Sequence, residues 1–274
     1  MSMVKMRNIV KRFGEVVANN RVNFEVKKGE IHALLGENGA GKTTLMNILY
    51  GLYEADEGEI YIQERKVKIR SPAEAIKLGI GKVPQFPELI PSLTVAENVA
   101  LGLRGINFFF PLKQVVRKIG ELSRRYGLRI DPEASVDQLS IGEQQKVEII
   151  KALVREPKIL ILDEPTTTLV LPEIEELFTL LRQMAREGRS IVFITHKLDE
   201  VISISHRVTV LRNGKNIETL ETSKTSKEEL INLMVGEELK KPSRPPMVQI
   251  REKVLEVKDI WACLLYTSPS PRDS

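Results

Sequence analysis

Gly36-Glu37-Asn38-Gly39-Ala40-Gly41-Lys42-Thr43 fits the pattern G-x-x-x-x-G-K-[ST]. Those residue types at that spacing do one kind of chemistry, which is to cradle a chain of phosphates. Glycines let backbone N–H groups close on phosphate oxygens with no side chain in the way. Lys42 would add a point charge at the β- and γ-phosphates, and the Thr43 hydroxyl would be a ligand for Mg2+. A second group of chemical residues, Asp163-Glu164, ends an apolar run and supplies what the loop lacks. Asp163 can hold the metal through water, and Glu164, one residue nearer the attacking water, can orient or deprotonate it. Two acids at a strand end are otherwise only a solvated turn, and the phosphate loop upstream decides between the two. Leu139-Ser140-Ile141-Gly142-Glu143-Gln144-Gln145 opens a helix whose Ser140 and N–H groups near Gly142 could bind an anion. Alone, that stretch is an N-cap.

Elements to position these residues are legible around them. Ile31 to Leu35 is a buried strand feeding the phosphate loop, and Thr44 to Tyr50 is a helix whose N-terminus points at the anion. Lys158-Ile159-Leu160-Ile161-Leu162-Asp163 has the near-continuous apolar run of a central parallel strand covered on both faces. Ser190 to Thr195 is a further buried strand that ends at His196, and Ile80 to Val83 is one that ends at Pro84-Gln85. Upstream, Met3 to Met6 and Val22 to Val26 alternate as strands. Phe13 falls between them, an aromatic in a polar loop, placed equally well to stack on a nucleotide base or to plug a sheet edge.

Helix signals punctuate the rest. Ser71, Pro72 and Glu74 cap one helix, Thr94 to Glu97 is a capping box that opens another through Leu101, and Ser226 with Glu229 starts the last, ending near Gly236. Helical spacing runs from Leu112 to Tyr126, from Gly142 to Leu153, and through Ile174, Leu177, Phe178, Leu181 and Met184. Residues from about 86 to 156 therefore form a helical block inserted between strands of an α/β core. Phe108-Phe109-Phe110 within it is either packing between helices or a partner-facing apolar patch. Asn213-Gly214 between Arg207 to Leu211 and Lys215 to Leu220 is a two-residue hairpin turn.

The chain has 274 residues, 42% hydrophobic and 28% charged, enough for a sizeable core in one large domain or two small ones. A net charge of +4 without a dense basic run interleaved with aromatics gives no case for nucleic acid. No apolar leader stretch opens the chain, and nowhere do about 18 apolar residues run together, so neither a signal peptide nor a membrane span is expected. The only cysteine, Cys263, rules out a disulfide framework or a cysteine metal site within one chain. A Pro-rich linker covers 237–250, the segment 251–262 echoes the opening strand, and the Ser/Pro-rich 263–274 reads as a non-native, vector-like tail.

The phosphate loop, Gln85 after a strand, Leu139 to Gln144, Asp163-Glu164 followed by Pro165, and His196 after the next strand occur in that order. Together they resemble the ATP-binding cassette (ABC) ATPases over residues 1–236. That resemblance implies a P-loop NTPase core of mostly parallel sheet with helices, an antiparallel β subdomain and the inserted helical subdomain. It makes Ser140, Ile141, Gly142, Glu143 and Gln144 the signature motif offered to an opposing cassette, Gln85 the Q-loop, His196 the switch histidine and Phe13 the base-stacking aromatic. ATP would lie on Gly36, Glu37, Asn38, Gly39, Ala40, Gly41, Lys42, Thr43 and Thr44, with Mg2+ held by Thr43, Gln85 and Asp163, and with Glu164, His196 and Lys42 catalytic. Ser71 to Ala75, Leu93 to Asn98 and Gly142 to Ile149 are similar to the ATPases of simple-sugar and nucleoside importers, which are typically tandem cassettes; the echo at 251–262 fits the start of a second one. Implied partners are integral membrane permease subunits, received by the helical block, a second ABC domain and, indirectly, an extracellular solute-binding protein, with the chain on the cytoplasmic face of the membrane. A soluble ABC protein switching on ribosomes or DNA is the alternative; a long charged linker or coiled-coil insertion would mark it, and neither appears. Val170 stands where the family's D-loop carries an aspartate, which bears on how one site communicates with its opposite number.

Overall fold

The computed structural model describes residues 2–103 and 112–236. In chain order its elements are β1 (Ser2–Phe13), β2 (Val16–Lys27), β3 (Ile31–Leu35), α1 (Lys42–Leu49), β4 (Glu57–Ile62), β5 (Arg65–Val67), α2 (Pro72–Lys77), β6 (Ile80–Val83) and α3 (Val95–Gly102). There follow α4 (Leu112–Tyr126), α5 (Ile141–Leu153), β7 (Ile159–Asp163), α6 (Leu171–Arg186), β8 (Ser190–Thr195), α7 (Leu198–Ile204), β9 (Arg207–Arg212), β10 (Lys215–Glu221) and α8 (Lys227–Val235). The Phe108 to Phe110 run, the linker, the echo of the opening strand and the tail lie outside the described residues.

Every residue of β3, β7 and β8 is buried, because these strands form the middle of a six-stranded sheet ordered β10-β9-β3-β8-β7-β6. All its pairings are parallel except the edge hairpin β9–β10. The hairpin turns on Asn213 (φ 49°) and Gly214 (φ 71°), the doubly positive φ that such two-residue turns require. Side chains alternate between two layers, as the strand period of two dictates. Ile159 and Ile161 face one cluster with Leu45, Met46 and Leu49 of α1, while Leu160 and Leu162 face another with α3, α4, α5 and α6. Each such apolar side chain contributes about 1.5–3 kcal/mol on burial, so this two-faced core is what fixes the strand ends.

The second sheet is antiparallel, ordered β2-β1-β4-β5, and Met6, Ile9, Val22 and Phe24 lay its inner face onto the α1 side. Phe13 is not in a loop: β1 continues through it, and it pairs with Val16 across the hairpin. Asn8 and Arg21 adopt positive φ (50° and 52°) beside register shifts in that ladder, which is how the long strands bend and stay paired further than the alternation alone indicates.

Register decides where chemistry can happen. Leu35 pairs with Thr195, and Asp163 pairs with Ile194, so β3, β7 and β8 finish at one edge of the parallel sheet. The phosphate loop, the acidic pair and His196 all leave from that carboxyl edge, where open α/β sheets bind ligands.

Candidate active site

The loop after β3 and the start of α1 border a cleft of about 380 Å³, within the range of small-molecule sites. Its lining runs from Asn38 to Thr44, with Gln85, Glu164 and Val16 to Ala18. Gly41 has φ 95°, and a Cβ there would stand 2.3 Å from the Ala18 carbonyl oxygen; one on Gly36 would stand 2.3 Å from that of Leu211. Strands β2 and β9 thus crowd the loop so closely that these two positions admit only glycine. The start of α1 has no side-chain cap and no acidic residue in its first turn, leaving its N–H groups and positive end to an anion. Lys42 is buried, and its Nζ donates to the carbonyls of Gly36 (2.7 Å) and Glu37 (2.9 Å). Burial holds its ammonium below the usual lysine range, opposed by the negative charge of Glu164, Asp163 and Glu37.

Asp163, the last residue of β7, is 2% exposed and accepts a hydrogen bond from Thr43 Oγ1 at 3.2 Å. Burial raises its carboxyl above the ordinary aspartate value, offset in part by the Lys82 charge and the Thr43 hydroxyl. Lys82 reaches it from β6, Nζ to Oδ2 3.8 Å, and its own ammonium is depressed by burial. Glu164 takes a left-handed backbone (φ 45°), a conformation that costs an ordinary residue about 1–3 kcal/mol, and its N–H donates to the Ile194 carbonyl at 3.0 Å. The strain turns its side chain into the cleft. Its Oε2 accepts from Gln85 Nε2 (3.4 Å), and its Oε1 lies 3.1 Å from His196 Nδ1.

Ser140 and Glu143 form a reciprocal capping box at the start of α5. Ser140 Oγ accepts from the Glu143 N–H (3.3 Å), and Glu143 Oε2 accepts from the Ser140 N–H (2.8 Å). The Ser140 hydroxyl and then its N–H hold the Glu143 carboxyl below its usual value. Gln144 Nε2 donates to the Leu139 carbonyl (3.0 Å), Gly142 abuts the Glu173 carboxylate, and the Ile141 side chain is exposed. None of Ser140 to Gln144 lines the cleft beside the phosphate loop.

A family model described as ABC transporter matches residues 19–167, more than half of the chain. The chain belongs to that family. It is 48% identical over 262 residues to a nucleoside import ATP-binding protein of Lactococcus lactis subsp. cremoris, covering 94% of this chain and 51% of that protein. With a glucose import ATP-binding protein of Haloferax volcanii the identity is 45% over 288 residues, covering 94% and 52%. Among solved structures, an ATP-binding cassette of an ABC transporter in its ADP conformation superposes with a TM-score of 0.74 at 28% identity, over 86% of this chain and 95% of that one. The chain spans about half the length of these curated relatives.

In this ABC cassette the structure brings Lys42, Thr43, Gln85, Asp163, Glu164 and His196 together and sets the signature residues apart from them. Phe13 is not among the residues lining the cleft: its ring meets Tyr53 edge-on at 5.2 Å, with Lys11 Nζ 5.4 Å from its centre. Val16 and Val17, both exposed, border the cleft instead. Sequence reasoning missed Lys82 and Asn19, whose Nδ2 donates to the Gly41 carbonyl at 3.1 Å. A lysine inside the apolar four-residue strand Ile80–Val83 was a signal for the first. Nothing local marks the second.

Proposed function

We propose that this chain is the ATP-hydrolysing cassette of an importer for a nucleoside or simple sugar, working on the cytoplasmic face of the membrane with integral permease subunits. The observation that carries the reading is the 48% identity to a nucleoside import ATP-binding protein across 94% of the chain. Among the described residues no helix is long and apolar enough to cross a membrane, which fits a subunit that borrows its membrane passage from partners. A second ABC domain completes the arrangement, and a solute-binding protein acts indirectly through the permease. The reading of the chain as a soluble switch on ribosomes or DNA draws no support from relatives that are import ATP-binding proteins.

ATP lies with its phosphates on Gly36 to Thr44, under the loop N–H groups, the N-terminus of α1 and Lys42. Phe13, outside the cleft lining but paired with the cleft-lining Val16, would have to turn from Tyr53 to stack on the base in this reading. The donor set beside the phosphate loop suits a hard cation: a buried carboxylate, a hydroxyl 3.2 Å from it and an amide side chain. Thr43, Gln85 and, through water, Asp163 would hold Mg2+, which when bound neutralises charge on the β- and γ-oxygens. Glu164 accepts the proton of the attacking water, and His196, beside it, steadies the γ-phosphate. Ser140 to Gln144 cover the nucleotide of an opposing cassette.

Glu164→Gln tests the site. The amide keeps the volume and the contact with Gln85 but cannot accept a proton, so kcat should fall by about 10²–10⁴ while MgATP binding is retained. Turnover equal to wild type would remove Glu164 from the mechanism. Recovery of the chain from membranes with integral partners, rather than with RNA or DNA, tests its setting.

A further inference from the structure

Glu200, in the first turn of α7, is a carboxylate only 7% exposed that the site above does not use. Its Oε1 accepts from Thr166 Oγ1 at 2.6 Å, its Oε2 accepts from Thr195 Oγ1 at 2.8 Å, and Lys197 Nζ lies 3.1 Å from Oε1. These partners flank the chemistry. Thr195 ends β8 and immediately precedes His196, and its hydroxyl oxygen also accepts from the Lys197 N–H at 3.0 Å. Thr166 lies in the turn two residues past Glu164, and Lys197 Nζ approaches its hydroxyl (3.3 Å) and carbonyl (3.4 Å). One buried carboxylate therefore ties the turn that carries Glu164 to the strand end that carries His196.

Burying a carboxylate is costly unless every lone pair is satisfied, and apolar packing joins two turns more cheaply. What a satisfied polar junction adds is direction: it fixes distance and orientation where apolar contacts slide. Direction is what this place requires. Glu164 and His196 meet at 3.1 Å, and the Glu164 backbone is pinned to the same strand end through Ile194. A misplacement of about 1 Å between reacting groups costs up to 10² in rate.

We propose that Glu200 is a positioning residue that holds Glu164 and His196 in register through Thr166 and Thr195. This rests on the roles given to Glu164 and His196 above. In the full 274-residue chain, Glu200→Ala should lower kcat for ATP about 10–100-fold while KM for MgATP stays within about twofold, the signature of lost alignment rather than lost binding. Glu200→Gln, which keeps a hydrogen-bonding atom at both oxygen positions, should recover a large part of the loss. In a Glu164→Gln background, Glu200→Ala should cause no further fall. An unchanged kcat, or a loss confined to KM, overturns the proposal. Should Glu200→Ala not fold, Thr166→Val removes one tie at nearly constant volume and should show the same split at smaller size; unchanged kcat in it overturns the proposal equally. Glu164→Gln and His196→Ala run in parallel separate two failures: if both leave kcat intact the site reading is wrong, whereas if both collapse it and the Glu200 and Thr166 variants do not, only the positioning role is wrong. An independent readout needs no turnover. The chain has three histidines, and the Cε1–H resonance of His196 should move in Glu200→Ala, and less in Glu200→Gln, while that of the buried His32 stays; a His196 resonance unmoved in Glu200→Ala overturns the proposal.

Discussion

Lys82 is a nearly buried cation set beside the buried acid Asp163. Its ammonium sits 3.8 Å from Asp163 Oδ2, donates to Asn47 Oδ1, and is nearly buried, so it compensates a carboxylate that burial otherwise pushes toward protonation. A cation bound at Asp163 would face Lys82 as a like charge. Lys82→Met should therefore act oppositely on the two states. Without nucleotide the variant loses the partner of a buried acid and should be less stable by about 1–3 kcal/mol, read as a melting midpoint lower by about 2–4 °C per kcal/mol. With MgATP present the repulsion is gone, and the ligand-induced rise in midpoint should exceed that of wild type. A smaller rise would mean that Lys82 assists metal binding instead. The residues of the phosphate loop and the acidic pair were legible in the sequence because each is a contiguous motif whose types follow from its chemistry. Lys82, Asn19 and Glu200 act through partners 22 to 81 positions away or through a buried network, and a residue type alone carries no such distance.

His32 shows what the strand bearing the loop requires of its neighbours. It is fully buried in β3, with Nδ1 3.0 Å from Glu30 Oε1 and Nε2 2.7 Å from Thr209 Oγ1 of β9, and the Thr209 hydroxyl meets that of Thr219 on β10 at 2.8 Å. The ring thus bolts the edge hairpin to the strand that feeds the phosphate loop. Burial holds its pKa below the ordinary 6.5, against the pull of Glu30. The folded state then binds fewer protons than the unfolded one: stability is complete above about pH 6.5 and is lost as pH falls from there toward the folded value. Urea unfolding between pH 7 and 5.5 should show stability falling by up to about 1.4 kcal/mol per pH unit, and His32→Gln should flatten that slope. An identical slope in the variant would place the titration elsewhere. At this scale the central strands and the capped helices were readable, since burial on both faces and N-cap chemistry write themselves into short stretches. Phe13 reads as loop in the sequence because the bends at Asn8 and Arg21 break the alternation of a strand that in fact continues. The short β5 and α7 left no reading at all: three residues and seven residues hold too few turns of any period to register.

Across the whole molecule, the phosphate loop and the signature residues border different surfaces, and the surface at the signature is apolar. Ile141 is 58% exposed, Val170 62% and Leu171 79%. They share a neighbourhood through Glu173, whose carboxylate accepts from the Val170 N–H at 3.2 Å, pairs with Lys146 at 3.3 Å and abuts Gly142. Three large apolar side chains around a capped helix N-terminus are an unfavourable solvent surface and a favourable contact. The proposed pairing of cassettes supplies the contact, since the terminal phosphate of one copy would meet the N-terminus of α5 in the other. Nucleotide should then act as the adhesive, and hydrolysis should dissolve the pair. Sedimentation velocity on Glu164→Gln should accordingly show a monomer without nucleotide and a dimer with MgATP, because the trapped substrate holds the halves together. Leu171→Asp in the same background sets a charge into the apolar patch and should restore the monomer while MgATP still binds, since Leu171 does not line the cleft. A Glu164→Gln chain that binds MgATP and stays monomeric would show that the surface at Ile141, Val170 and Leu171 is shaped for a different cassette. Val170, at the place where the resemblance leads one to expect an aspartate, is the residue through which such an asymmetric pair would then be sought: Val170→Asp should promote self-pairing if the valine is what disfavours it.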